Sequence, residues 1–74
     1  MKKYQIDNPG EMAANIVNCL YGASMAMRSG HLMILRTTFM TAQKVCFETN
    51  DLNFVSAYRA ELSNYNLEIK QVNE

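Results

Sequence analysis

The chain has 74 residues, 49% of them hydrophobic, and its seven basic residues balance seven acidic ones. This length allows one hydrophobic core and excludes a second domain. Zero net charge removes the electric field that would draw the whole molecule onto nucleic acid or an anionic membrane. We therefore expect one domain over residues 1–74 whose default partner is neither nucleic acid nor membrane.

The N-terminal segment does not have the pattern of a signal peptide. Lys2 and Lys3 are followed by Asp7 before any continuous apolar run begins. The longest uncharged stretch, residues 12–27, is too short and too polar to span a bilayer. These features predict a cytoplasmic protein in which residues 1–7 form a flexible lead-in or lie extended across the fold.

The first predicted helix covers residues 9–28. Asp7 and Asn8 offer side-chain oxygens for capping, and Pro9 is tolerated in a first turn. Apolar residues then recur at spacings of three and four, which places them on one helix face. These residues are Met12, Ala13, Ile16, Val17, Leu20, Ala23 and Met27. Gly30 is suited to end the helix.

Two further helices are predicted, over residues 31–49 and 51–72. The apolar face of the second consists of Leu32, Leu35, Phe39, Ala42 and Cys46. The third carries a coiled-coil-like seam of Val55, Tyr58, Leu62, Tyr65, Ile69 and Val72. This seam either packs between the other two helices or projects beyond them toward a partner.

These elements predict an all-α fold, a small antiparallel three-helix bundle. The connections are only a few residues long, which folds consecutive helices back on one another. A core from so short a chain supplies about 3–5 kcal/mol, so a homodimer is the expected means of completing it.

The two cysteines and the single histidine are expected to be structural. Cys19 and Cys46 each fall on an apolar helical segment, which favours two buried thiols in a reducing cytosol; one intramolecular bridge is the alternative. His31 stands at the predicted start of the second helix, a cap region. One histidine and no Cys-x-x-Cys pair cannot supply four zinc ligands, so no metal is expected.

Catalytic motifs are not evident in the sequence. A hydrolase or transferase needs an activated nucleophile with a base, and only His31 offers an imidazole. The three glycines are too dispersed to cradle a phosphate. We expect no enzyme activity, no cofactor and no small-molecule substrate.

Two candidate interfaces emerge from helical projection. On the second helix, three large apolar residues spaced seven apart share the outward face with two bases, a pattern typical of a protein-binding surface. The set comprises Met33, Arg36, Met40, Lys44 and Phe47. The competing interface lies on the third helix, at Tyr65 and Ile69.

The expected function is stoichiometric binding to another protein, as a regulator, adaptor or inhibitor. Small phage- or mobile-element-encoded proteins that target host machinery have this format. Two alternatives stay open. One is a dimeric helical DNA-binding transcriptional regulator that reads DNA with residues 31–49, and the other is a structural subunit of a larger assembly.

Overall fold

The protein combines two helices with an antiparallel sheet. A computed structural model describes residues 1–27, 35–41 and 43–72. Along the chain, these residues form strand β1 (Lys2–Asp7), a 3-10 turn (Gly10–Met12), helix α1 (Ala13–Met27), strand β2 (Leu35–Thr41), strand β3 (Lys44–Thr49), helix α2 (Leu52–Ser63) and strand β4 (Ile69–Val72). The fold is therefore α+β, and the prediction of an all-α three-helix bundle is wrong.

The four described strands lie in the order β2-β3-β1-β4, and every neighbouring pair is antiparallel. Helix α1 connects β1 to β2, and α2 connects β3 to β4, so each crossover passes one intervening strand. This connectivity is the split βαβ arrangement of ferredoxin-like folds. It places β1 and β3 at the centre of the sheet.

The region predicted as a helix over residues 31–49 contains the β2–β3 hairpin instead. Along β3, fully buried residues alternate with half-buried ones, a period of two that a helix cannot produce. The buried ones are Val45, Phe47 and Thr49. At the turn, the Thr41 hydroxyl accepts hydrogen bonds from the backbone N–H groups of Gln43 and Lys44, both at 3.1 Å.

The helix predicted over residues 51–72 is confirmed only at its start, because α2 ends at Ser63. The chain then forms a Schellman motif: the Leu67 N–H donates to the Leu62 carbonyl at 3.1 Å, and the Asn66 N–H donates to that of Ser63 at 3.2 Å. Asn66 has a φ of 59°, the left-handed conformation that this motif requires. The chain leaves the helix and continues as β4.

The lead-in predicted for residues 1–7 is in fact the central strand β1. Tyr4 and Ile6 are buried, whereas Lys3, Gln5 and Asp7 on the opposite side are half-buried. This strand pairs with β3 on one side and β4 on the other.

Helix α1 confirms the first predicted helix over residues 13–27, and the helix end predicted at Gly30 lies outside the described residues. Ile16 and Leu20 are 1% exposed, and four other residues of the predicted apolar face pack partly buried against the core. These are Met12, Ala13, Val17 and Ala23. Within the described residues, no helix is long and apolar enough to cross a membrane.

The core lies between the two helices and one face of the sheet. The Tyr4 and Phe47 rings of the central strands stack with centroids 5.4 Å apart, and Phe54 of α2 meets Phe47 edge-on at 6.4 Å. The Tyr58 hydroxyl of α2 donates to the Ile16 carbonyl of α1 at 3.5 Å, which joins the two helices. Both helices therefore cover the same face of the sheet.

Candidate functional site

The opposite face of the sheet is the candidate functional surface, because no helix among the described residues packs against it. We call it the open face. It consists of the strand residues whose side chains lie on the side of the sheet opposite the core. These residues pair with one another in the sheet register. Its described side chains are Lys3, Gln5, Asp7, Arg36, Thr41, Lys44, Cys46, Glu48, Lys70 and Val72.

Cross-strand register arranges these residues in three rows. The Glu48 row reads Arg36, Glu48, Lys3 and Val72 from β2 to β4. The Cys46 row contains Cys46, Gln5 and Lys70. The Lys44 row contains Thr41, Lys44 and Asp7. Neighbouring rows are two residues apart along a strand, or about 7 Å.

Charge alternates across the open face. Glu48 lies between Arg36 and Lys3 in its row, and Lys3 Nζ lies 4.0 Å from the Glu48 carboxylate. Asp7 is the cross-strand neighbour of Lys44 and accepts a hydrogen bond from Lys70 Nζ at 3.3 Å. Four bases and two acids leave an excess of two positive charges on this face.

The centre of the open face is neutral and slightly concave. Cys46 and Gln5 occupy adjacent positions there, and the Gln5 amide donates to the Asp7 carboxylate at 3.1 Å. A depression of about 120 Å³ opens beside them and is also lined by Lys3, Glu48 and Val72. The face thus offers a shallow hollow with charges of both signs at its rim.

A second depression, about 150 Å³, lies between the two helices. Its lining includes Cys19, Tyr58, Glu61 and Tyr65. Burial raises the pKa of the Tyr58 hydroxyl above its ordinary value of 10, and the neighbouring Cys19 and Glu61 add to the effect. The hydroxyl therefore stays protonated and serves to connect the helices.

The two cysteines do not lie where the sequence predicted. Cys19 is exposed on α1 and Cys46 is half-buried on the open face, so the expectation of two core thiols is wrong. Both are free, and no bridge joins them. His31 lies outside the described residues. Among residues 1–27, 35–41 and 43–72, no three His, Cys, Asp or Glu side chains group closely enough to hold a metal ion.

The predicted interface residues separate in the structure. Arg36 and Lys44 share the open face, whereas Met40 is 50% exposed and pairs in register with the core residue Val45. Tyr65 is 53% exposed in the turn after α2. Met33 lies outside the described residues.

Two of the predicted interface positions are core positions. Phe47 is fully buried and Ile69 is 3% exposed, so neither can contact a partner in the folded protein. Their assignment to an interface followed from reading residues 31–49 and 51–72 as helices. The helix that was expected to read DNA is likewise replaced, in its described part, by the β2–β3 hairpin.

Sequence reasoning missed most of the open face. Lys3, Gln5 and Asp7 fall in the segment predicted as a lead-in, and Glu48 and Lys70 fall within the two segments predicted as the second and third helices. A signal was present as alternation: polar and apolar residues follow one another strictly from Lys3 to Asp7, whereas Cys46 interrupts the same pattern between Lys44 and Glu48.

Comparisons with known proteins add no functional assignment. No protein-family model matches this chain, and no curated protein or solved structure matches it. The split βαβ connectivity serves many unrelated functions, so it does not indicate one by itself. Function must therefore be inferred from the chemistry of the open face.

Proposed function

We propose that the protein acts by stoichiometric binding to another protein, as a regulator, adaptor or inhibitor, and that the open face is its binding surface. The observation that carries this proposal is a sheet face that no helix of the described residues covers, with its ordered alternation of charge around a neutral, concave centre. Charge patterns of this kind fix the register of a protein partner and reject partners with the wrong pattern.

The residue types on the two central strands favour a protein over nucleic acid. Sheets that bind single-stranded RNA stack bases on aromatic side chains, but the described open-face positions of β1 and β3 carry none. Asp7 and Glu48 would also repel phosphates approaching the neighbouring bases. A protein surface can place a base opposite each acid and an acid opposite each base.

The cysteines bear on where this binding takes place. Cys19 and Cys46 are free, and Cys19 is exposed, as is common in proteins of reducing compartments. We propose that the protein binds its partner in the cytoplasm.

Site-specific photo-crosslinking tests the proposal. A photoreactive residue replaces Gln5, at the centre of the open face, and a matched control places it at Asn18, which is exposed on α1. In cells that make the protein, we expect the Gln5 probe to give one adduct with a foreign protein at fixed stoichiometry. The Asn18 probe should not give it.

Charge reversal completes the test. Lys44→Glu in the Gln5 probe protein should reduce the adduct, because it removes the alternation at the rim. Identical adducts from both probes, or none from Gln5, would contradict the assignment of binding to this face.

A further inference from the structure

The open-face charges of the two central strands form an alternating rectangle. Its corners are Lys3 and Asp7 on β1 and Glu48 and Lys44 on β3, so each acid has a base beside it across the strands. The rectangle is one strand spacing wide, about 4.8 Å, and four residues long, about 13 Å. Gln5 and Cys46 fill its middle.

This arrangement is complementary to itself about a two-fold axis that lies parallel to the strands, above the groove between β1 and β3. The axis places β1 of one copy over β3 of a second copy and keeps the three rows in line. Lys3 then faces Glu48 of the second copy, Asp7 faces Lys44 of the second copy, and Gln5 faces Cys46 of the second copy. Isologous dimers require this kind of self-matching surface.

A competing two-fold axis, perpendicular to the strands, also matches acids with bases at the four corners. It places Lys70 of one copy opposite Lys70 of the other, however, which is a like-charge contact that the parallel axis avoids. Both axes stack the two sheets with their strands aligned, the usual geometry of packed sheets, so the Lys70 contact is what favours the parallel axis.

We infer that the protein forms a homodimer in which two open faces stack about a two-fold axis parallel to β1 and β3. This inference extends the proposed function by naming a second copy as an occupant of the same face. Self-association and partner binding would compete for the same face. The dimer would therefore be unable to bind the partner until it dissociates.

The size of the face indicates a weak dimer. Four strands of about six residues cover a projected area of about 400 Å² per copy, against about 800 Å² of accessible surface buried per partner in a standard interface. Exposed ion pairs also weaken with salt. We therefore expect reversible dimers at tens to hundreds of micromolar protein and monomers at high salt.

Two single charge reversals test the geometry. Lys44→Glu places an acid against Asp7 of the second copy, and Asp7→Lys places a base against Lys44 of the second copy. Each variant alone should lose about tenfold or more in association constant, measured by sedimentation velocity at low salt. Mixed in equal amounts, the two variants should recover association close to wild type, because each reversed charge now faces its opposite.

Mixing distinguishes contacts between copies from contacts within one copy, since neither chain's internal charges change. It also distinguishes the two axes. With the perpendicular axis, the acid introduced by Lys44→Glu would face Glu48 of the other chain, so the mixture would still be repelled. Matched controls reverse exposed charges away from the open face, Glu61→Lys and Lys2→Glu, and should leave association unchanged.

Folding of each variant is checked by circular dichroism before sedimentation. If Asp7→Lys does not fold, the pair Lys3→Glu and Glu48→Lys tests the same rectangle at its other end. A wild-type protein that stays monomeric near millimolar concentration at low salt overturns the inference. So does a dimer that responds equally to control variants, or one that mixing does not restore. These measurements need only the purified protein, so their failure is separable from a failure of the photo-crosslinking test.

Discussion

Strands β1 and β3 show two very different surfaces within the same few residues. On the side covered by the helices, Tyr4 and Phe47 stack in a core closed to water. On the open side, one residue away, Gln5 and Cys46 remain partly accessible. The alternation of side chains across a sheet therefore separates the core from the proposed binding surface, so each can be changed with little effect on the other.

The largest expected difference between the two sides is at β3. Phe47→Ala should lower the free energy of unfolding by about 3–5 kcal/mol, because it removes a fully buried ring from the core. Cys46→Ala, its neighbour on the open face, should change it by less than about 1 kcal/mol. Urea denaturation measures both, and similar losses for the two would contradict a division of roles between the two sides.

A smaller pair of changes examines the same division on β1. Ile6→Val deletes one methylene from a fully buried side chain and should cost about 0.5–1.5 kcal/mol. Gln5→Val, on the open face, should stay within about 0.5 kcal/mol of wild type, since valine suits a strand and loses only the contact to Asp7. Thermal unfolding followed by circular dichroism resolves the difference.

The smallest expected change in the free energy of unfolding is at Tyr58, on the side of the sheet that the helices cover, and it depends on pH. Tyr58→Phe should cost about 0.5 kcal/mol at neutral pH, because the hydroxyl's hydrogen bond to the Ile16 carbonyl is long, at 3.5 Å. Burial raises the folded-state pKa of Tyr58, so its contribution is fully present below pH 10 and is lost as the pH rises further. Urea denaturation between about pH 8 and 11 should therefore show a shallower decline for Tyr58→Phe than for the exposed control Tyr65→Phe.

Helix α1 and part of α2 could be predicted because the spacing of their apolar residues fits a helix and does not fit a strand. Ile16 and Leu20 are four apart, and so are Tyr58 and Leu62, which repeats one face of a helix over successive turns. Asp51 also marks the start of α2, since its carboxylate accepts from the Phe54 N–H at 3.0 Å.

The hairpin could not be separated from a helix by apolar spacing alone. Leu35, Phe39 and Cys46 fit a helical stripe, but Val45, Phe47 and Thr49 fit a strand, and the sheet provides long-range partners that a local pattern does not contain. The threonines of β2, including Thr37 and Thr41, favour a strand and carried the missed signal.

The end of α2 illustrates a second reason for error. The spacing from Leu62 to Ile69 continues the seam, although the chain has already left the helix at Asn66. Asparagine is among the few residues that adopt the left-handed conformation readily, so Asn66 was the local signal in the sequence for this helix end. The open face was missed through the same errors, because a surface shared by four strands exists only once the sheet is assembled.

The position of β1 also determines how the protein reaches its native state. Tyr4 pairs with Phe47 on one side and with Gln71 on the other. Strand β1 therefore pairs with two strands, β3 and β4, that lie far from it in the sequence. A helical bundle forms mainly from local contacts and folds in microseconds to milliseconds, whereas non-local pairing of this kind slows folding. During synthesis, β1 leaves the ribosome well before either neighbouring strand, so its backbone N–H and C=O groups lack their sheet partners until β3 and β4 follow.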